Sequence, residues 1–473
     1  MKIKKTILAI LAVFAFSACS NEELSPTPYT EGKAEGYLIL NLEDPVSTKT
    51  STSGNTATDG GTIGENTISK LTVVLANEAG DIHSVVNPAI ANKVSEAFRV
   101  EVGTYYVYAL INSAINVEVG QNIERVITVA AAAEATSGYK GGSFFMVNKR
   151  NGGLEKAGVK ATITTEKTKD DPAKVKINVD RMACKITDET ETPDISVLET
   201  ATDGIIDEVE VVGFALLNVN KQFNLIQTWN DDNGGGMNLT EEVLSTPLYP
   251  NGGEDLVANQ YFHNIGEYTT LIKNEDGNII AITDNTTEDQ TIFVKGSAYT
   301  TENRPTIVNA GASGITAGRG ETTGVIYKVQ AKKGGNNSGT FFKYKDVLYS
   351  DIAAIQALDE FEGQTLPSEA PALRALGINV YENGVIYYTY FIRDPNAAHQ
   401  YGNLNYYGVF RNSSYKLAIN KITSLGDDVP GGTAVDPSKP GEPGNPPIDT
   451  AEAYLQVSIE VNRWVVSNID IDF

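Results

Sequence analysis

The chain is 473 residues long and carries 60 acidic against 37 basic side chains, a formal net charge of −23. A surface this acidic disfavours nucleic acid and anionic membrane surfaces as partners. The two cysteines are Cys19 and Cys184; the first belongs to the N-terminal export segment, so the folded part forms no internal disulfide and must hold by burial. The length would accommodate about three average domains, but β domains run larger, and two are expected.

Lys2, Lys4 and Lys5 precede an apolar run from Ile7 to Phe16, and Ser17-Ala18 lead into Cys19. This order of basic, apolar and small residues reads as a signal peptide over 1–18 and directs export. The run is far below the roughly 20 apolar residues that span a bilayer, so a retained transmembrane anchor is the weaker reading. A cysteine behind a small residue resembles a bacterial lipobox, with Phe16 where Leu is usual, and makes Cys19 the expected lipidation site. Several acyl chains, palmitate among them, at about 0.8 kcal/mol per buried methylene would anchor the chain to the outer membrane. Ser20-Asn21-Glu22-Glu23 resembles the surface-export signal of Bacteroidetes lipoproteins, although a plain polar tether also explains it. Residues 19–36, with Pro26 and Pro28, form that lipidated tether.

Tyr37 to Leu42 reads as a short strand, followed by a Ser/Thr/Gly/Asn-rich stretch from Ser47 to Gly64 that reads as a disordered loop. Strands are expected at Leu71–Leu75, Phe98–Val102, Tyr105–Asn112, Ser143–Asn148, Lys160–Thr165 and Val175–Ile186, where apolar positions recur with β-branched and aromatic residues. Between Asp188 and Asp203 the composition turns polar and acidic, which sets the domains at 37–195 and 196–473. In the second domain, strands are expected at Glu208–Asn218 and Gln222–Trp229. Ile378–Tyr381 and Val385–Ile392 flank Glu382-Asn383-Gly384, and the Asn-Gly pair predicts a type I′ hairpin. One helix is expected between Asp351 and Glu362, capped at Ser350 and stopped at Gly363. Asp427 to Thr450 is a proline-rich linker, and behind it Tyr454–Val461 and Trp464–Phe473 alternate apolar with polar residues at period two. Strong strand residues behind such a linker make their docking place the central question.

Convergent reactive groups are not legible. His83, His263 and His399 are the only histidines and stand far apart, so no catalytic residue and no enzymatic role are expected. No cofactor and no metal ligand set is expected either. The acidic loops at Asn230–Gly234 and Asn274–Asn278 lack the full ligand series of an EF-hand and read as solvated turns, with calcium the alternative. The run Tyr387-Tyr388-Thr389-Tyr390-Phe391 suits either a carbohydrate platform or a strand with one buried face. Cys184, in the strand-like Val179–Ile186, reads as a buried thiol. Asp449-Thr450-Ala451 resembles the short O-glycosylation motif of Bacteroidetes but is only three residues long.

Several stretches taken together resemble one family. They are Val100–Asn112, where a strand, a Gly turn and a second strand end in Asn, Asp180–Lys185, Phe214–Lys221, Val409–Ile422, and the Trp-containing pair of segments at the C-terminus. In this order behind a lipoprotein start, they are similar to the fimbrillin-like subunits of type V pili, or major fimbrial subunit proteins, of Bacteroidetes. The resemblance implies a mainly β fold of two tandem β-sandwich-like (transthyretin-like) domains with a few short helices. It implies assembly into surface fimbriae with other fimbrial subunits as partners.

In such pilins a trypsin-like protease cuts the loop after the first strand, the strand leaves, and C-terminal strands of a neighbour fill the groove by donor-strand exchange. Here Tyr37–Leu42 would be the strand that leaves, and Lys49 the cleavage site, an exposed basic residue in a polar loop where relatives usually carry Arg. Lys33 is the poorer site because cutting there leaves the strand attached. The donor strand would lie in 452–473, with Leu455, Val457, Ile459, Val461, Trp464, Val466, Ile469, Ile471 and Phe473 as its inward positions. The competing expectations are that these strands complete their own sandwich, and that the protein is an uncleaved surface lipoprotein or tip adhesin holding a glycan or a host protein.

Overall fold

A computed structural model describes residues 33–43, 58–128 apart from 63 and 114, 144–149, 157–220, 293–393 apart from 304, 306, 310–314 and 318–321, 406–429 and 455–464, with short segments at 229–230, 243–244 and 262–263. The architecture is mainly β, two sandwich-like units with a few short helices.

In the first unit, β1 (Glu35–Glu43) is followed, beyond a two-residue strand β2 (Thr58–Asp59), by β3 (Leu71–Ala76), β4 (Ile82–Val86), β5 (Val94–Ser95), β6 (Phe98–Glu101) and β7 (Gly103–Ile111). Then come β8 (Met146–Asn148), β9 (Val159–Ile163) and β10 (Ala173–Arg181). Strand order runs β4-β3-β7-β8-β10-β1-β5, with β9 on β7 and β6 on β1. The core between the layers holds Leu38, Leu40, Leu42, Val73, Leu75, Val107, Ala109, Ile163, Val175 and Ile177. Strand β3 is buried along its whole length because its other face lies under Ile123 of a short helix, α1 (Ile123–Thr128), together with Val117 and Phe145. That is why its sequence is apolar at every position but Thr72 rather than alternating.

The expected single strand Val175–Ile186 is two. It breaks at Met182-Ala183, and β11 (Cys184–Asp188) passes into the sheet of the second unit. The break is held by backbone bonds to both units, the Met182 amide donating to the Phe145 carbonyl of the first (2.9 Å) and the Asn412 amide of the second to the Ala183 carbonyl (2.7 Å). Two-sided burial of the run hid this change of sheet, since every position from Val179 to Ile186 is apolar or buried.

The second unit has β12 (Glu208–Leu217), β13 (Ser297–Thr300), β14 (Gly324–Lys333), β15 (Phe341–Tyr344), β16 (Val347–Tyr349), β17 (Asn379–Tyr381), β18 (Val385–Phe391), β19 (Ser413–Ile422) and β20 (Leu455–Trp464). One sheet runs β13-β11-β19-β20-β2, and a second sets β14 between β12 and β18. Their shared core includes Cys184, Ile186, Phe214, Tyr327, Tyr388, Tyr415, Leu417 and Val461. The expected hairpin at Asn383-Gly384 is a correction. Both residues do take positive φ, 53° and 73°, but β17 pairs with β15 and β18 with β14, so the turn hands the chain from one sheet to another. Turn chemistry sets the bend, while which strand pairs is decided by the buried faces. The helix expected at Asp351–Glu362 is α2 (Ile352–Gln356) plus one 3-10 turn, capped by Asp351, whose carboxylate accepts from the Ala353 amide at 2.9 Å, and ended at Gly363 with φ 75°.

Candidate assembly interface

Strand β1 is internal to its sheet. It runs parallel to β10, from Leu38 opposite Ala173 to Glu43 opposite Asn178, and antiparallel to β6, from Glu35 opposite Glu101 to Leu38 opposite Phe98. Asn41 also pairs with Val94 of β5. Alternation places Leu38, Leu40 and Leu42 in the core at 0%, 0% and 2% exposure. Gly36 is buried so tightly that a Cβ there would come 2.4 Å from the Thr164 carbonyl oxygen. The outer face is held by exposed or half-exposed charge pairs, Lys176 with Glu43 at 3.0 Å and Arg99 with Glu35 at 3.7 Å, each worth little alone. Lys33 lies 2.8 Å from Glu101, and with His83 also beside it, the Glu101 carboxyl sits below the ordinary Glu range.

The last described strand, β20, pairs antiparallel with β19 along its length, from Ile422 opposite Leu455 to Ser413 opposite Arg463, with one bulge between Ile419 and Lys421. Leu455, Val457 and Ile459 are half-buried and Val461 is buried, while Gln456, Ser458 and Glu460 face out. The period-two pattern therefore reads this strand correctly, and the strand rests in its own chain's sheet. Trp464 has its backbone opposite Asp59. Val466, Ile469, Ile471 and Phe473 lie outside the described residues, as do Cys19, Lys49, the signal peptide, most of the tether, Gln222–Thr228, both acidic loops beyond Asn230, His399 and Asp449–Ala451.

Residues 44–57, Lys49 among them, connect β1 in the first sheet to β2 in the second. The stretch from Ser47 to Gly64, expected to be loop throughout, is corrected at its end. Thr58–Asp59 pair in parallel with Arg463–Trp464. Asp59 Oδ2 accepts from the Ser414 hydroxyl at 2.7 Å and Oδ1 from the Gly61 amide at 2.8 Å. Lys185 Nζ lies 3.3 Å from Asp59 Oδ2 and 3.2 Å from Glu65 Oε1, and the Tyr299 hydroxyl donates to Glu65. Burial pushes the Asp59 carboxyl up, but the Ser414 and Gly61 hydrogen bonds and the Lys185 ammonium outweigh it, so its pKa falls below the ordinary value. Composition hid this site, because the Gly, Thr and Asn around Asp59 and Glu65 are also what a disordered loop is made of.

A second buried charge cluster stands where the units meet. Arg181, fully buried, donates through Nε to the Glu65 carbonyl at 3.2 Å and to the Asn66 side chain. Arg411 pairs with Glu302, at 2.9 Å through Nε, with both side chains almost wholly buried. Desolvation of Asp180, only partly offset by Lys149 and Arg411, pushes its carboxyl up to about 6. Cys184 is buried and burial pushes its thiol up, as a core thiol requires. In the Tyr-rich strand, Tyr388, Tyr390 and Phe391 are buried, and Tyr387 on the other face lies 5.7 Å from the Phe293 ring. Among the described residues no helix is long and apolar enough to cross a membrane.

The described residues form a mainly β, sandwich-like protein whose first strand lies inside a sheet and whose last described strand ends opposite Asp59 of β2. Residues 379–470, which span β17 to β20 and reach beyond, match the C-terminal model of the major fimbrial subunit protein type IV, fimbrillin. The resemblance to fimbrillins is thereby borne out over these residues. Among solved structures the chain is similar to a fimbrilin from Porphyromonas gingivalis, at 13% identity and TM-score 0.43, covering 92% of this chain and 99% of that one. It is also similar to the tip fimbrial protein Mfa3 from Porphyromonas gingivalis with C-terminal truncation, at 11% identity and TM-score 0.38, covering 91% and 100%. A fimbrial assembly protein from Parabacteroides distasonis matches at 9% identity and TM-score 0.31, over 82% and 92%. No curated protein matches the chain.

Proposed function

We propose that this chain is a structural subunit of a cell-surface fimbria, exported as a lipoprotein acylated at Cys19, cut in the loop at Lys49 and polymerised by donor-strand exchange. The observation that carries the reading is that β1, a single segment, supplies three buried leucines to the first core. When it leaves, the backbone groups of β10 and β6 that paired with it are unsatisfied beside an apolar trench, a template for another strand. A neighbour's tail within 452–473 carries the alternating apolar side chains to fill it. Each such side chain contributes roughly 1.5–3 kcal/mol on burial, so a handful makes a tight joint after ordering costs are subtracted.

A second reading is an uncleaved surface lipoprotein or tip adhesin that binds a glycan or a host protein. Its support is that β20 already rests in its own sheet. Sequencing the N-terminus of surface-exposed protein separates the two, since a start at Thr50 supports the polymerising subunit and a blocked Cys19 the uncut form. Deleting Trp464–Phe473 from the full chain should abolish SDS-resistant ladders. Ladders that persist in the folded, truncated protein would defeat strand donation.

A further inference from the structure

We propose that residues 58–62 and 64–66 form a latch that holds the C-terminal strand in its own sheet until the loop ahead of them is cut. The inference rests on strand donation and names what regulates it. Strand β20 has β19 on one side, and on its other side the described pairing is the two-residue β2, at its far end. That is where a strand bound for another molecule would begin to peel.

The latch is pinned at three points. Asp59 accepts from Ser414, the residue directly opposite Asn462 of β20, so the same carboxylate grips the neighbouring strand at the level of the clipped end. Lys185, 8% exposed, bridges Asp59 and Glu65, and Glu65, 3% exposed, also accepts from the Thr62 amide at 2.6 Å. Arg181 grips the Glu65 carbonyl and the Asn66 side chain, tying the latch to the end of β10 in the first unit. These are buried, charge-assisted contacts of the strong kind, concentrated on a segment with very little apolar core of its own.

Upstream, the latch continues through 44–57 into β1. While β1 is seated and the loop intact, Thr58 is tethered from both sides. A cut turns it into part of a short N-terminal end, which frays in the way chain termini do. Loss of the two-residue clip then leaves β20 with its pairing to β19 and the packing of Leu455, Val457, Ile459 and Val461 on the core, and no clip at its far end. Cutting would in this way open the acceptor groove at β1 and loosen the donor at β20 through one event, so that uncut precursors do not exchange strands.

The test is hydrogen–deuterium exchange of the uncut, monomeric chain, comparing Asp59→Asn and Thr58→Pro with the parent. Exchange in 455–464 should accelerate at least tenfold in both variants, with 71–76 unchanged. Asp59→Asn weakens the Lys185 bridge, and Thr58→Pro places a residue of fixed φ in the two-residue clip while leaving the ion pairs in place. If Asp59→Asn loosens the whole second unit, Thr58→Pro decides. Unchanged protection of 455–464 while 58–62 exchanges freely would overturn the latch. That result leaves strand donation standing if tail deletion still abolishes ladders, so the two ideas fail separately.

Discussion

Leu40 is the residue on which the seating of β1 can be weighed. It is fully buried at the middle of the strand, opposite Val175 of β10, and its amide donates to the Ser95 hydroxyl at 2.9 Å. Leu40→Ala leaves the backbone bonds in place and removes a buried isobutyl group, which costs about 2–5 kcal/mol through lost transfer energy and the cavity left behind. Ile39, half-buried on the other face, serves as the control, and its replacement by Ala should cost clearly less. Urea unfolding of the uncut chain measures the first quantity. Limited trypsin digestion, followed by the rate at which the N-terminal peptide separates from the remainder, measures the second. At about 2 kcal/mol the strand's hold on its groove weakens roughly 30-fold, so the cut peptide should leave correspondingly sooner. Equal costs for the Leu40 and Ile39 variants, or a Leu40→Ala cost under about 1 kcal/mol, would refute the view that the leucine row seats the strand.

Asn112 ends β7 in the left-handed region, with φ 54°, and its side chain accepts from the Ser69 and Lys70 amides at 2.8 and 3.2 Å while donating to the Thr67 and Phe144 carbonyls at 2.8 and 3.0 Å. Asn112→Ala should cost about 2–4 kcal/mol in urea unfolding, and Asn112→Gly about 1 kcal/mol less, because Gly relieves only the backbone part; a Gly variant no better than Ala would refute the division. Asp180, pushed up to about 6 from 3.8, binds its proton more tightly in the fold than in the unfolded chain. Its contribution therefore falls as pH rises from about 4 to about 7, by roughly 2 kcal/mol, and Asp180→Asn should remove that fall when urea midpoints at pH 4 and 7 are compared with the parent; an unchanged difference between the two pH values would count against it.

The sequence by itself determined what local pattern can determine. Alternation of apolar and polar side chains marks β1 and β20, because a half-buried strand needs that pattern wherever it docks. Asp351 and Gly363 lie within a residue of the expected helix limits, since capping and positive φ are local requirements. Asn383-Gly384 fixes a bend for the same reason. Tertiary structure alone decided where each strand pairs. The side chains of Val179–Ile186 carry no sign that the chain changes sheets at Met182-Ala183, because both halves are buried. Nor does any local signal show that Asp59 and Glu65, in a stretch with loop composition, meet Lys185 and Tyr299 more than a hundred positions away. Charges can be held in a core only where partners from distant segments converge to repay their lost hydration, and that convergence exists only once the chain has folded.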